Sequence, residues 1–250
     1  MAFALAPSSP WSLSWCWASL FLPTTLFFVL DTKLTSSSWD WQGEYSTMLS
    51  STEPQQVGRF ILRRWNTYSS HAHTTAGAYV LVRSTDTKGP VSSVLFGASL
   101  LVLSLLSHAW WASRRRLACH VDNLFMEAHI VALSLVIVSP ALPPAYESWL
   151  VLATVAATLL RGVTFSGEAA LFPCVALLVG SSLYAVRSLG GSGQLELFAA
   201  GLALALAGVV FKLADASGDG CWWGTAVFHY MEAAGFTTLF LWAQTLPAQI

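Results

Sequence analysis

The stretch GTAVFHYMEA, Gly224–Ala233, places one histidine and one glutamate inside a run otherwise apolar enough to lie in a membrane. A buried imidazole there is either a hydrogen-bonded core residue or a metal ligand. The run extends over 223–246, and a spanning helix needs roughly 20 mostly apolar residues. The whole chain has the same character. Of 250 residues 55% are hydrophobic and only 10% charged, with a mean hydropathy of +0.58. A soluble domain is about one quarter charged, so the composition predicts a polytopic membrane protein.

Working back from that last segment, clear apolar runs cover about 193–214, 168–187, 147–165, 119–139 and 90–112. A seventh, 57–82, is less apolar and carries Arg59, Arg63, Arg64, His71 and His73. Pro140, Pro143 and Pro144 break the chain after the third span, and Gly190, Gly191 and Gly193 mark a turn after the fifth. Backbone groups in lipid must bond internally, so the expected fold is all-α, a seven-transmembrane helix bundle over 57–246. Residues 1–30 form a hydrophobic N-terminal segment, read as a signal peptide, an anchor or an extra span. Residues 31–56 are a polar flank. Net charge is −1 and the only basic block is Arg114, Arg115 and Arg116, so nucleic-acid binding is not expected. That block, with Arg161 and Lys212, reads as loop charge setting topology, and Trp110 and Trp111 read as interfacial anchors. The four cysteines show no CxxC spacing.

An ionisable side chain within a span marks a functional site by default. Ser104 and His108 are four apart and share one helix face. Asp122 enters from the same loop on the next span, and His229 lies about two turns into the last. Counting spans brings all four to one depth on one membrane side, with His129 two turns deeper.

These residues carry a resemblance to the alkaline ceramidase family, within the seven-span membrane hydrolases that include adiponectin- and progestin-type receptors. The chain has DWQGEY (Asp40–Tyr45), RRWNTYSS (Arg63–Ser70), Ser104 with His108, VDNLFM (Val121–Met126) and GTAVFH (Gly224–His229), in the family's order over about 39–243. The resemblance implies a hydrolase that cleaves the amide of ceramide, or of a related membrane lipid, to a sphingoid base and a fatty acid. It implies zinc held by three histidines, here His108 and His229, with Ser104 and Asp122 as catalytic partners. It also implies residence in the endoplasmic reticulum or Golgi membrane.

Three departures bear on that chemistry. Thr225 stands where the remaining zinc-ligand histidine is expected, and catalytic zinc needs three protein ligands with a fourth position open. Glu232, three residues beyond His229, is one candidate third ligand, and His120 is another. The family's acidic segment, which contributes to a calcium site, keeps Asp40 and Glu44. It has Gln42 and Gly43 in place of Cys and Glu, and Arg63 in place of an acid. Calcium takes several oxygen ligands, so calcium is not expected here, and Cys221 loses the cysteine it would face. Three readings follow: a zinc lipid amidase, a non-catalytic relative that binds lipid or a partner in the same cavity, and an unrelated seven-helix receptor or transporter.

Overall fold

The computed structural model describes residues 25–26, 28–31, 51–163, 171–188, 194–218 and 220–247. Regular structure in it is helical: α1 (Arg64–Ser69), α2 (His71–Asp86), α3 (Val91–Ser113), α4 (Arg116–Val138), a 3₁₀ turn (Ser139–Ala141), α5 (Pro144–Val163), α6 (Leu171–Ser188), α7 (Leu195–Ser217) and α8 (Gly224–Ala243). The chain is therefore all-α over the described residues. Asp40, Glu44 and most of the N-terminal hydrophobic segment lie outside them.

The breaks have local causes. Pro140 starts the 3₁₀ turn, and Pro144 opens α5, where its missing N–H is no loss. Helix α7 stops at Gly218, left-handed at φ 80°. The expected span 57–82 is not one continuous helix. It begins at Arg64, is interrupted at Ser70 and runs on to Asp86. Ser70 and Thr67 turn their hydroxyls back onto the carbonyls of Asn66 and Arg63, a bond that competes with regular helix.

Among the described residues four helices are long and apolar enough to cross a membrane: α3, α4 continued to Ala141, α6 and α7. Burial runs inside out relative to a soluble protein. Leu159 and Phe172 are 68% and 81% exposed, whereas Ser104, His108, His129 and Thr225 are fully buried. Lipid can cover the first pair without cost, while the second set must find partners inside the protein. The apolar core lies between α3, α4 and α8, where Phe96, Leu100, Leu133, Ile137, Phe236 and Phe240 pack together.

Helices α7 and α8 approach closely because glycines face one another, as in other membrane helix pairs. A Cβ on Gly235 would stand 2.8 Å from the Gly201 carbonyl oxygen, and one on Gly224 only 2.2 Å from that of Phe211. Gly224 thus sets how deeply the first turn of α8, with Thr225 and His229, sits against α7. Gly224→Ala is expected to lower the melting point in detergent, at a cost of about 1–3 kcal/mol from overpacking. Gly180→Ala, with nothing within 4 Å of the new methyl, should be neutral or slightly stabilising.

Candidate functional site

The segment before α1 closes one end of the bundle and is fastened by charge. Glu53 accepts the Trp65 and Asn66 backbone N–H groups at 2.8 and 3.0 Å, so it caps α1 from twelve residues away. Arg63 donates to the Ser51 carbonyl. The position that has an acid in the resembling family therefore holds a guanidinium tied to the segment itself. Leu62 and Arg63 N–H groups bond the Ala112 and Trp111 carbonyls, joining the segment to the end of α3. Arg114 lies 3.9 Å over the Trp110 ring, and burial lowers its guanidinium to about 10. Trp110 and Trp111, expected as exposed interfacial anchors, are buried.

Beneath this closure, α1, α2, α3, α4 and α8 bring polar side chains together. His108 shares Nδ1 with the Ser104 carbonyl at 2.7 Å, which fixes its tautomer with the proton on Nδ1. The Ser104 hydroxyl donates to the Ser70 carbonyl at 2.9 Å and also contacts Thr74 Oγ1 at 2.5 Å. Ser70 Oγ donates to Ser107 Oγ at 3.1 Å, and Ser107 reaches the buried Asp122 carboxylate. His229 places Nδ1 2.8 Å from Ser69 Oγ. His73, His108 and His229 lie within electrostatic reach of one another, and the His73 and His229 ring centroids are 5.4 Å apart. The helices bring Ser104, His108, Asp122 and His229, four residues singled out in the sequence, into one polar region. Sequence reading missed His73, Ser69, Ser107 and Thr74.

Glu232 has different partners from those expected. Its carboxylate stands between two imidazoles, 3.0 Å from His73 Nε2 and 3.6 Å from His129 Nε2. His129 Nδ1 is 2.9 Å from the Phe125 carbonyl. His120 faces outward from the cluster and contacts the Gly162 carbonyl at 3.1 Å.

Thr225 is engaged as well. It donates to Asp215 Oδ2 from both its backbone N–H (3.0 Å) and its hydroxyl (2.5 Å). Asp215 Oδ1 accepts the Thr52 N–H and hydroxyl at 2.6 and 2.8 Å. Lys212 Nζ donates to Thr225 Oγ1 at 3.0 Å and lies 4.7 Å from the centre of the Trp111 ring. Lys212, expected in a loop, is part of α7.

These contacts bear on zinc. Thr225 is bound to a carboxylate and an ammonium, and Glu232 is held between His73 and His129. That leaves His108 and His229, beside a His73 whose Nε2 is committed to Glu232 and whose Nδ1 is buried without a hydrogen-bond partner. Among the described residues no three His, Cys, Asp or Glu side chains are grouped so as to hold a metal ion. The donor set does not fit catalytic zinc, which needs three protein ligands at bonding distance together.

Two consequences are measurable. Glu232→Ala leaves two buried imidazoles without their shared carboxylate and should cost about 3 kcal/mol in thermal unfolding; Glu232→Gln, which keeps an acceptor, should cost less. Burial lifts the Glu53 carboxyl above its usual value, against the lowering pull of the Asn66 and Trp65 N–H groups and of Arg63. A raised carboxyl means the fold favours its protonated form, so its contribution is full at low pH. It declines as pH rises through the ordinary glutamate value to the higher folded one. Glu53→Gln should flatten that part of a stability-against-pH curve; an unchanged slope would contradict this assignment. No protein-family model matches the chain, and no curated protein matches it.

Proposed function

We propose that the chain is a ceramidase-like seven-span membrane protein whose interior polar pocket binds the amide-bearing headgroup of a ceramide-type lipid without hydrolysing it through zinc. The observation that carries the reading is the cluster of buried hydroxyls and imidazoles inside an otherwise apolar bundle: Ser69, Thr74, Ser104, Ser107, His73, His108 and His229. Isolated buried polar groups in lipid are costly. A set that converges from four helices is suited to a polar ligand carried on an apolar chain, because the hydroxyls both donate and accept. In this reading α2, α5 and α8 also cross the membrane, which completes seven spans with the four long apolar helices. The family resemblance puts the protein in the endoplasmic reticulum or Golgi membrane.

A second reading, amide hydrolysis, is favoured by the gathering of Ser104, His108, Asp122 and His229. Full zinc chemistry would polarise the amide carbonyl and supply a nucleophilic water, but Thr225 stands where the resemblance implies the third ligand. The two readings separate in one assay. Purified protein in nanodiscs is offered a fluorescent ceramide, with diacylglycerol as a competitor that lacks the amide. Saturable binding that ceramide displaces, diacylglycerol does not and a metal chelator leaves unchanged is the expected result. Release of fatty acid that stops on chelation would establish the hydrolase instead, and absence of saturable binding would overturn the lipid-amide reading.

A further inference from the structure

Lys212 is a cation in an unexpected place. It lies in the last two turns of α7, three residues before Asp215, and reaches toward α8 rather than away from the bundle. Asp215 does not take its hydrogen bonds, because both carboxylate oxygens already accept two apiece from Thr52 and Thr225. An ammonium carries three N–H donors, and among the described residues Lys212 gives one, to Thr225 Oγ1 at 3.0 Å. The Trp111 ring, 4.7 Å from Nζ, covers part of the rest. Asp122 and His229 lie within electrostatic reach. The charge is thus held by an indole and a hydroxyl within reach of the Asp215 and Asp122 carboxylates and beside His229, with N–H groups left for an acceptor.

Position 225 is also where the family resemblance puts a metal-binding histidine. A lysine charge 3.0 Å from that side chain repels a dication placed there. We infer that Lys212 supplies from within the chain the positive charge of this pocket, in place of a metal ion, and donates a hydrogen bond to the carbonyl oxygen of the bound lipid amide. The identity of the ligand rests on the lipid-amide reading above; the exclusion of metal by Lys212 does not.

The test therefore has two arms. In the first, wild type, Thr225→His, Thr225→His with Lys212→Met, and Thr225→His with Lys212→Arg are incubated with zinc in nanodiscs, desalted and measured for zinc per chain. Wild type and the arginine double variant should stay zinc-poor. The methionine double variant should retain about one zinc per chain and bind it at least about tenfold more tightly than Thr225→His alone. Equal affinity with and without Lys212, or stoichiometric zinc in wild type, would overturn the inference. Melting curves identify a variant that fails to fold, and Lys212→Gln with Thr225→His then replaces the methionine variant. In the second arm, Lys212→Met should weaken ceramide binding by about tenfold or more, the worth of a charged hydrogen bond, and Lys212→Arg by less. Unchanged binding would remove Lys212 from the ligand contact. Failure of wild type to bind ceramide would sink the lipid-amide reading and leave the zinc arm to decide the role of the charge.

Discussion

The Asp215 carboxylate holds the site together. Four hydrogen bonds from Thr52 and Thr225 saturate its oxygens. They join three pieces of chain: the segment before α1, the end of α7 and the first turn of α8. A helix N-terminus presents unsatisfied N–H groups and partial positive charge, and Asp215 answers both for α8 through the Thr225 N–H. Because it is satisfied by neutral donors, the ammonium three residues earlier is not drawn into a closed ion pair.

A threonine at 225 is therefore more than a lost histidine. Its hydroxyl donates to Asp215 and accepts from Lys212, two roles that an imidazole nitrogen bound to a metal could not fill together. The neighbouring residues are committed to hydrogen bonds with it. The same holds one turn deeper, where Glu232 is held by His73 and His129, and at the mouth, where Arg63 stands in place of an acid and bonds the segment directly. Arg63 stands where the resemblance implies an acid, and Lys212 bonds the threonine that stands where it implies a zinc-ligand histidine.

Much of this was legible from residue spacing. The i, i+4 relation put Ser104 and His108 on one face, and the intramembrane acid and histidine of the expected spans pointed to Asp122 and His229. Proline and glycine marked the helix ends. What spacing could not show was which polar groups pair across helices. Lys212 sits at the end of an apolar run, where a charge reads as loop, and only the direction of its side chain places it inside. Its i, i+3 relation to Asp215 was the available signal. His73 was hidden in a segment whose arginines and histidines suggested an interface. Arg114 and its tryptophans read as topology markers because cation–π stacking depends on side-chain direction that sequence does not carry.

The cation beside His229 is proposed to be the Lys212 ammonium, and not a metal held between His108 and His229. Diffraction data collected on either side of the zinc absorption edge, from crystals grown with zinc present, address it directly. The expected result is no anomalous peak between the two imidazoles, with Lys212 Nζ within hydrogen-bond distance of Thr225 Oγ1. A peak at bonding distance from both His108 and His229, with the lysine turned away, would contradict it.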